Sequence, residues 1–155
     1  MGLDMYFRAS KYIGGWGHSD ASEKLVFKGV LNAAGISDDV IDEGSPSLTI
    51  DVTIGYWRKA NAIHKWFVDK VQGGVDECQR SYVSIDELEI LLKDCNAVMK
   101  HKGKAKELMS TQSGIFFGNT DYDEDYFEDI KHTIGIVEKA LKMGKGYTFY
   151  YQSSW

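Results

Sequence analysis

Between residues 48 and 72 the hydrophobic period of this chain changes from 2 to 3.6, and that change constrains the fold more than any other feature. Leu48, Ile50, Val52 and Ile54 alternate with Thr49, Asp51 and Thr53, the pattern of a strand with one apolar face. From about Arg58 to Gln72 the apolar positions become Ala60, Ile63, Phe67 and Val71, one stripe of a helix. Arg58, Asn61, Lys65 and Asp69 fall opposite that stripe, His64 lies at its edge, and Gly73-Gly74 end the helix. A strand therefore runs into a helix through Gly55-Tyr56-Trp57-Arg58-Lys59 with no room for a long loop.

The flanking segments extend this pattern. Leu3 to Ile13 reads as a strand that stops at Gly14-Gly15-Trp16-Gly17. Ala21 to Ala34 reads as a helix burying Leu25, Val26, Val30 and Leu31, closed by Gly35. Ser84-Ile85-Asp86-Glu87 is a capping box, and its helix should bury Leu88, Leu91, Leu92, Cys95, Val98 and Met99. Lys100 to Lys106 reads as a basic connection, and 111–120 as a short strand or extended loop. A last helix opens at 120–123, buries Phe127, Ile130, Ile134, Val137 and Leu141, and ends near Gly144; a strand over Tyr147 to Gln152 follows. The expectation is one α+β domain over residues 1–155: an antiparallel or mixed sheet of about four strands covered by about four helices, with the two terminal strands paired centrally.

Composition narrows the function classes. Four Trp, nine Tyr and seven Phe favour a sheet and supply stacking surfaces. A net charge of −5 argues against bulk nucleic acid as a partner, which needs a basic field. Cys78 and Cys95 form no CxxC motif and read as reduced thiols. The N-terminus lacks the features of a signal peptide, Tyr6 weakens a myristoylation motif at Gly2, and no run is long enough to span a membrane, so a cytoplasmic protein without a membrane partner is expected.

The start of the helix after Trp57 carries the main functional signal. Helix N-termini favour Asp and Glu, yet Arg58 and Lys59 stand here. An anion among them would reverse the sign of that effect, because free N–H groups already point at it. The candidate ligand site is therefore Arg58 and Lys59 on a phosphate, Asn61 and His64 as hydrogen-bonding groups, and Tyr56, Trp57 or Trp66 stacking a base. The plainer alternative is two solvated cations beside core aromatics.

Other patterns are weaker. Asp121, Asp123 and Asp125 have calcium-loop spacing, but Tyr126 and His132 stand where glycine and glutamate belong, and no metal or cofactor is expected. The four histidines share no ligand spacing, and no nucleophile elbow, P-loop or dinucleotide fingerprint occurs, so no catalytic residue is assigned. The 14–18 loop suits either a tight turn or a lid over a ligand.

The segments Gly55–Phe67 and Thr111-Gln112-Ser113-Gly114-Ile115-Phe116-Phe117-Gly118, with the opening Met1-Gly2-Leu3-Asp4-Met5-Tyr6 and the ending Ser153-Ser154-Trp155, resemble those of a family of small bacteriophage and prophage proteins. The resemblance implies a phage accessory role and brings no reaction or catalytic residues. Three functions follow as expectations. The first is sequestration of a small anionic, nucleotide-derived signalling molecule without turnover. The second is inhibition of a host defence protein through exposed aromatics and the acidic 121–129 segment. The third is a small hydrolase or nuclease using His64 with a carboxylate. The oligomeric state stays open, a homo-oligomer included.

Overall fold

The first and last strands of the chain lie side by side at the centre of a four-stranded antiparallel sheet, as their terminal positions suggested. The computed structural model describes residues 2–155. Its elements in chain order are β1 (Asp4–Gly14), α1 (Ala21–Ala34), β2 (Ser47–Arg58), α2 (Asn61–Lys70), β3 (Ser81–Val83), α3 (Ile85–Lys100), α4 (Ala105–Leu108), α5 (Glu124–Met143) and β4 (Thr148–Ser154). The sheet order is β2-β1-β4-β3, and β3 meets β4 with Tyr82 opposite Tyr150. The fold is α+β. The chain divides into two compact units: residues up to Ala9 with Val52–Trp155, and Ser10–Asp51.

In the larger unit, alternation along β1 buries Met5 and Phe7, with Leu3 just before it in phase, and alternation along β4 buries Phe149 and Tyr151. Phe7 stacks on Phe149 with centroids 5.7 Å apart, and Phe67 of α2 stacks on Tyr151 at 4.0 Å. The helices complete this core with Ile63, Leu88, Leu91, Cys95, Val98, Ile130 and Val137. Helix α3 starts at its capping box, with Ser84 and Glu87 exchanging bonds as expected, and packs along α5. Gly55 explains how closely β2 meets α5: a Cβ there would sit 2.7 Å from Ile136 Cγ2.

The buried face of β2 differs from the expected one. Within the larger unit Gly55 and Trp57 face the core, while Val52 is 49 % exposed and Ile54 half-buried. The strand's strict alternation is real, but tertiary packing chose the other side of it over this stretch. Leu92 and Ile134, expected in the core, are half-buried at its margin. Strand β3 and helix α4 had no periodic signal because three and four residues are too short to carry one. The 111–120 segment is a loop, the second of its two expected states.

In the smaller unit, α1 is capped by Asp20, whose carboxylate accepts from Glu23 N at 2.7 Å, and closes at Gly35 in the left-handed region. Its core is Ile13, Phe27 and Leu31 with Ile41, Leu48 and Ile50 packed on it. The expected stripe of Leu25 and Val26 is exposed instead, because the helix is rotated to seat Phe27. Gly15 lies against the Phe27 ring so closely that a Cβ would come within 2.7 Å of it. Trp16 Nε1 donates to the Tyr12 hydroxyl at 3.1 Å and Lys24 Nζ to Gly17 O at 2.6 Å. These bonds make the 14–18 loop a pinned turn. No helix among the described residues is long and apolar enough to cross a membrane.

Candidate functional site

Strand β2 ends at Arg58, and α2 begins at Asn61, three residues later than its periodicity suggested. The turn between them is tight and strained. Lys59 has φ 61°, a left-handed conformation that a lysine adopts at a cost of roughly 1–2 kcal/mol. It is held there because Lys59 N donates to Leu3 O at 2.8 Å and Asn61 N to Lys59 O at 2.8 Å. Strain of this kind persists only where surrounding bonds over-determine it, and it gathers at functional sites.

This turn forms one wall of a cavity of about 460 Å³. Arg58, Lys59 and the first turn of α2 from Ala60 to Ile63 line that wall. Thr111, Gly118 and Asn119 come from the loop before α5, with Tyr126 and Ile130 from α5 itself. Asp121, Asp123, Asp125, Glu128 and Asp129 also line the cavity. Among the described residues no carboxylate forms an ion pair with Arg58 or Lys59. The wall also holds a helix start without a side-chain cap, whereas α1, α3 and α5 are capped by Asp20, Ser84 and Asp123.

The acidic groups are not equivalent. Asp123 caps α5, accepting from Tyr126 N at 3.1 Å and from Asn119 Nδ2 at 3.1 Å, and the first of these bonds does most to lower its pKa. Glu128 pairs with Lys131 at 3.6 Å on the surface. Asp129 is partly buried, and loss of solvent pushes its carboxyl up to about 6, although His132 pulls the other way. The calcium reading of this segment thus meets a capping role at Asp123, and no cluster of three metal-ligating side chains occurs among the described residues.

Of the seven candidate ligand residues, the cavity gathers Arg58, Lys59 and Asn61. Asn61 is already committed. Its Nδ2 donates to Phe117 O at 3.0 Å and Asn119 O at 2.7 Å, and its Oδ1 accepts from Gln112 N at 3.1 Å. Its role is to clamp the 111–120 loop, so the expected hydrogen bond to a ligand is corrected to a supporting one.

His64 is fully buried and stands outside the cavity. Its Nδ1 meets the Tyr151 hydroxyl at 2.7 Å and its Nε2 meets Asp76 Oδ2 at 2.9 Å. The carboxylate sought for a general base is present, but both ring nitrogens are engaged and the Phe117 ring stands edge-on at 5.2 Å. This arrangement ties three segments together and leaves no approach for a substrate.

The three aromatic candidates separate as well. Trp57 is 2 % exposed, and its Nε1 donates to Thr133 Oγ1 at 2.9 Å. Trp66 is buried, with Nε1 donating to Asp94 Oδ2 at 2.9 Å. Neither indole offers a free face, because large apolar rings on a helix-covered strand and a central helix go to the core. Tyr56 is exposed and donates its hydroxyl to Asp4, a bond that holds the phenol pKa up, but it does not line the cavity. Cys95 is buried, and desolvation raises its thiol to about 12, which makes it inert.

The loop opposite the cations is firmly built. Thr111 Oγ1 donates to Thr120 O at 3.0 Å across its neck, and Phe117 N bonds Gly114 O at 3.2 Å. Gly114 is required, since a Cβ would lie 2.6 Å from the Phe117 ring. At its tip Ile115 is 79 % exposed, and Phe116, at φ 68°, is 51 % exposed. Comparison with known proteins finds no matching family model, no similar curated protein and no similar solved structure.

Proposed function

We propose that this chain is a binding protein that captures a small anionic, nucleotide-derived molecule without turning it over. One observation carries the reading: Arg58 and Lys59 stand on the wall of one cavity, on a strained turn, with no carboxylate paired to them among the described residues. Two exposed cations beside an uncapped helix start suit a phosphate or carboxylate group. The volume suits a molecule of mononucleotide size. With Trp57 and Trp66 in the core, charge and hydrogen bonds rather than indole stacking hold the ligand. A non-catalytic role accords with His64 being enclosed and fully bonded. In the phage setting that the sequence resemblance implies, the target is a nucleotide signal of host defence in the host cytoplasm. Calorimetric titration with nucleoside monophosphates tests it: binding that weakens at least tenfold in Arg58→Ala, with the ligand recovered intact after denaturation, is expected. Recovery of a cleaved product would move the protein to the enzymes.

A second reading is favoured by the 111–120 loop. A clamped backbone that holds Ile115 and Phe116 out in water, one in a left-handed conformation, is the kind of surface that inserts into a protein partner. The acidic 121–129 segment that follows suits a basic rim on that partner, a host defence protein in the phage setting.

A further inference from the structure

A purely anionic ligand leaves the carboxylates of the cavity unexplained. Asp123 is used as a cap, Glu128 faces Lys131 and Asp121 lies on the loop before α5, which leaves the two helix carboxylates Asp125 and Asp129 without such a role. They stand one helical turn apart on α5, both line the cavity, and neither carboxylate has a hydrogen bond or ion pair among the described residues. With Asp121 the cavity therefore holds two cations and three carboxylates that form no ion pairs with one another among the described residues. A bare phosphate there gains from Arg58 and Lys59 and is repelled by Asp125 and Asp129. A molecule with a charge or donor for each set gains from both.

We propose that the ligand is amphoteric: a phosphate ester whose anionic group meets Arg58 and Lys59 and whose N–H donor group meets Asp125 and Asp129. This rests on the ligand reading above and narrows it. The donor is either an aliphatic ammonium or the amino-bearing edge of a base. A carboxylate accepts two N–H groups side by side, and guanine presents such a pair. Loss of water around Asp129 strengthens any donor that reaches it.

Four probes separate the outcomes in titrations of wild type, Arg58→Ala, Asp125→Asn and Asp129→Asn. Guanosine monophosphate and phosphoethanolamine carry both groups, inosine monophosphate lacks the 2-amino donor, and ribose 5-phosphate carries phosphate alone. One of the first two should bind at least tenfold more tightly than ribose 5-phosphate, and which one does so identifies the source of the donor. If guanosine monophosphate is that probe, inosine monophosphate should bind more weakly than it; equal binding overturns the base-edge form of the proposal. Asp129→Asn should weaken the preferred probe about tenfold while leaving ribose 5-phosphate unchanged or tighter. Opposite responses of two probes do not arise from a merely structural change, and Asp125→Asn repeats the test if Asp129→Asn folds poorly. If ribose 5-phosphate binds as tightly as both amphoteric probes and still depends on Arg58, the amphoteric ligand is wrong and the anion-binding function stands. If no probe binds wild type, or Arg58→Ala changes nothing, both fall.

Discussion

The side-chain amide of Asn61 donates to the backbone carbonyl of Asn119 across 2.7 Å, from the first residue of α2 to the far end of the loop that walls the cavity. With its bonds to Phe117 and Gln112 it saturates one buried amide entirely on loop backbone. Asn61→Ala should therefore destabilise the protein by about 1–3 kcal/mol, the cost of leaving buried backbone groups unpaired. The loop should loosen first, seen as faster hydrogen exchange at the Gln112 amide. Unchanged exchange there would mean the clamp is not what orders the loop.

Trp57 and Thr133 give a second test. The indole N–H ends on Thr133 Oγ1, which itself donates to Asp129 O at 2.7 Å. Trp57→Phe should cost roughly 0.5–1.5 kcal/mol of stability for the lost bond and leave ligand affinity unchanged. A selective loss of affinity in a fully stable variant would put the indole back in the site as a stacking platform.

Much of this was legible in the sequence, and the division follows physical lines. The capping box at Ser84, the long α3 and α5 and the two central strands announce themselves through period and capping chemistry, which are local. Arg58 and Lys59 line the cavity, but as the end of β2 and the turn before α2 rather than as the first turn of the helix, where the sequence put them. What could not be read was partnership across the fold. Nothing near Asn61 says that its amide is spent 51 to 58 residues away, nor near His64 that Tyr151 and Asp76 enclose it. The left-handed Lys59 leaves no mark, because lysine is not a residue that signals positive φ. The acids of 121–129 looked like helix-start residues, and only tertiary structure sets Asp125 and Asp129 in the cavity of Arg58.

Asp129 predicts a pH dependence. Its native carboxyl is raised to about 6 by burial, above its unfolded value, so the native state favours the protonated form. That stabilisation is complete below about pH 4, the unfolded range, and is lost as pH rises through about 6. Asp129→Asn stays neutral throughout, so its advantage over wild type should be absent near pH 3.5 and fully developed by pH 7. Because the side chain is partly solvated, the gain should be about 1 kcal/mol rather than the full value of the shift. Urea denaturation at the two pH values checks this, and a difference independent of pH would show that the carboxyl is not desolvated.

The most direct measurement is mass spectrometry of small molecules released on denaturing the protein purified from cells in which it acts. Wild type should release an intact phosphate- or carboxylate-bearing molecule in near-stoichiometric amount, and a folded Arg58→Ala, Lys59→Ala double variant should release little of it. Equal release from both, or none from wild type in cells where it is active, would contradict a ligand held at the Arg58–Lys59 turn.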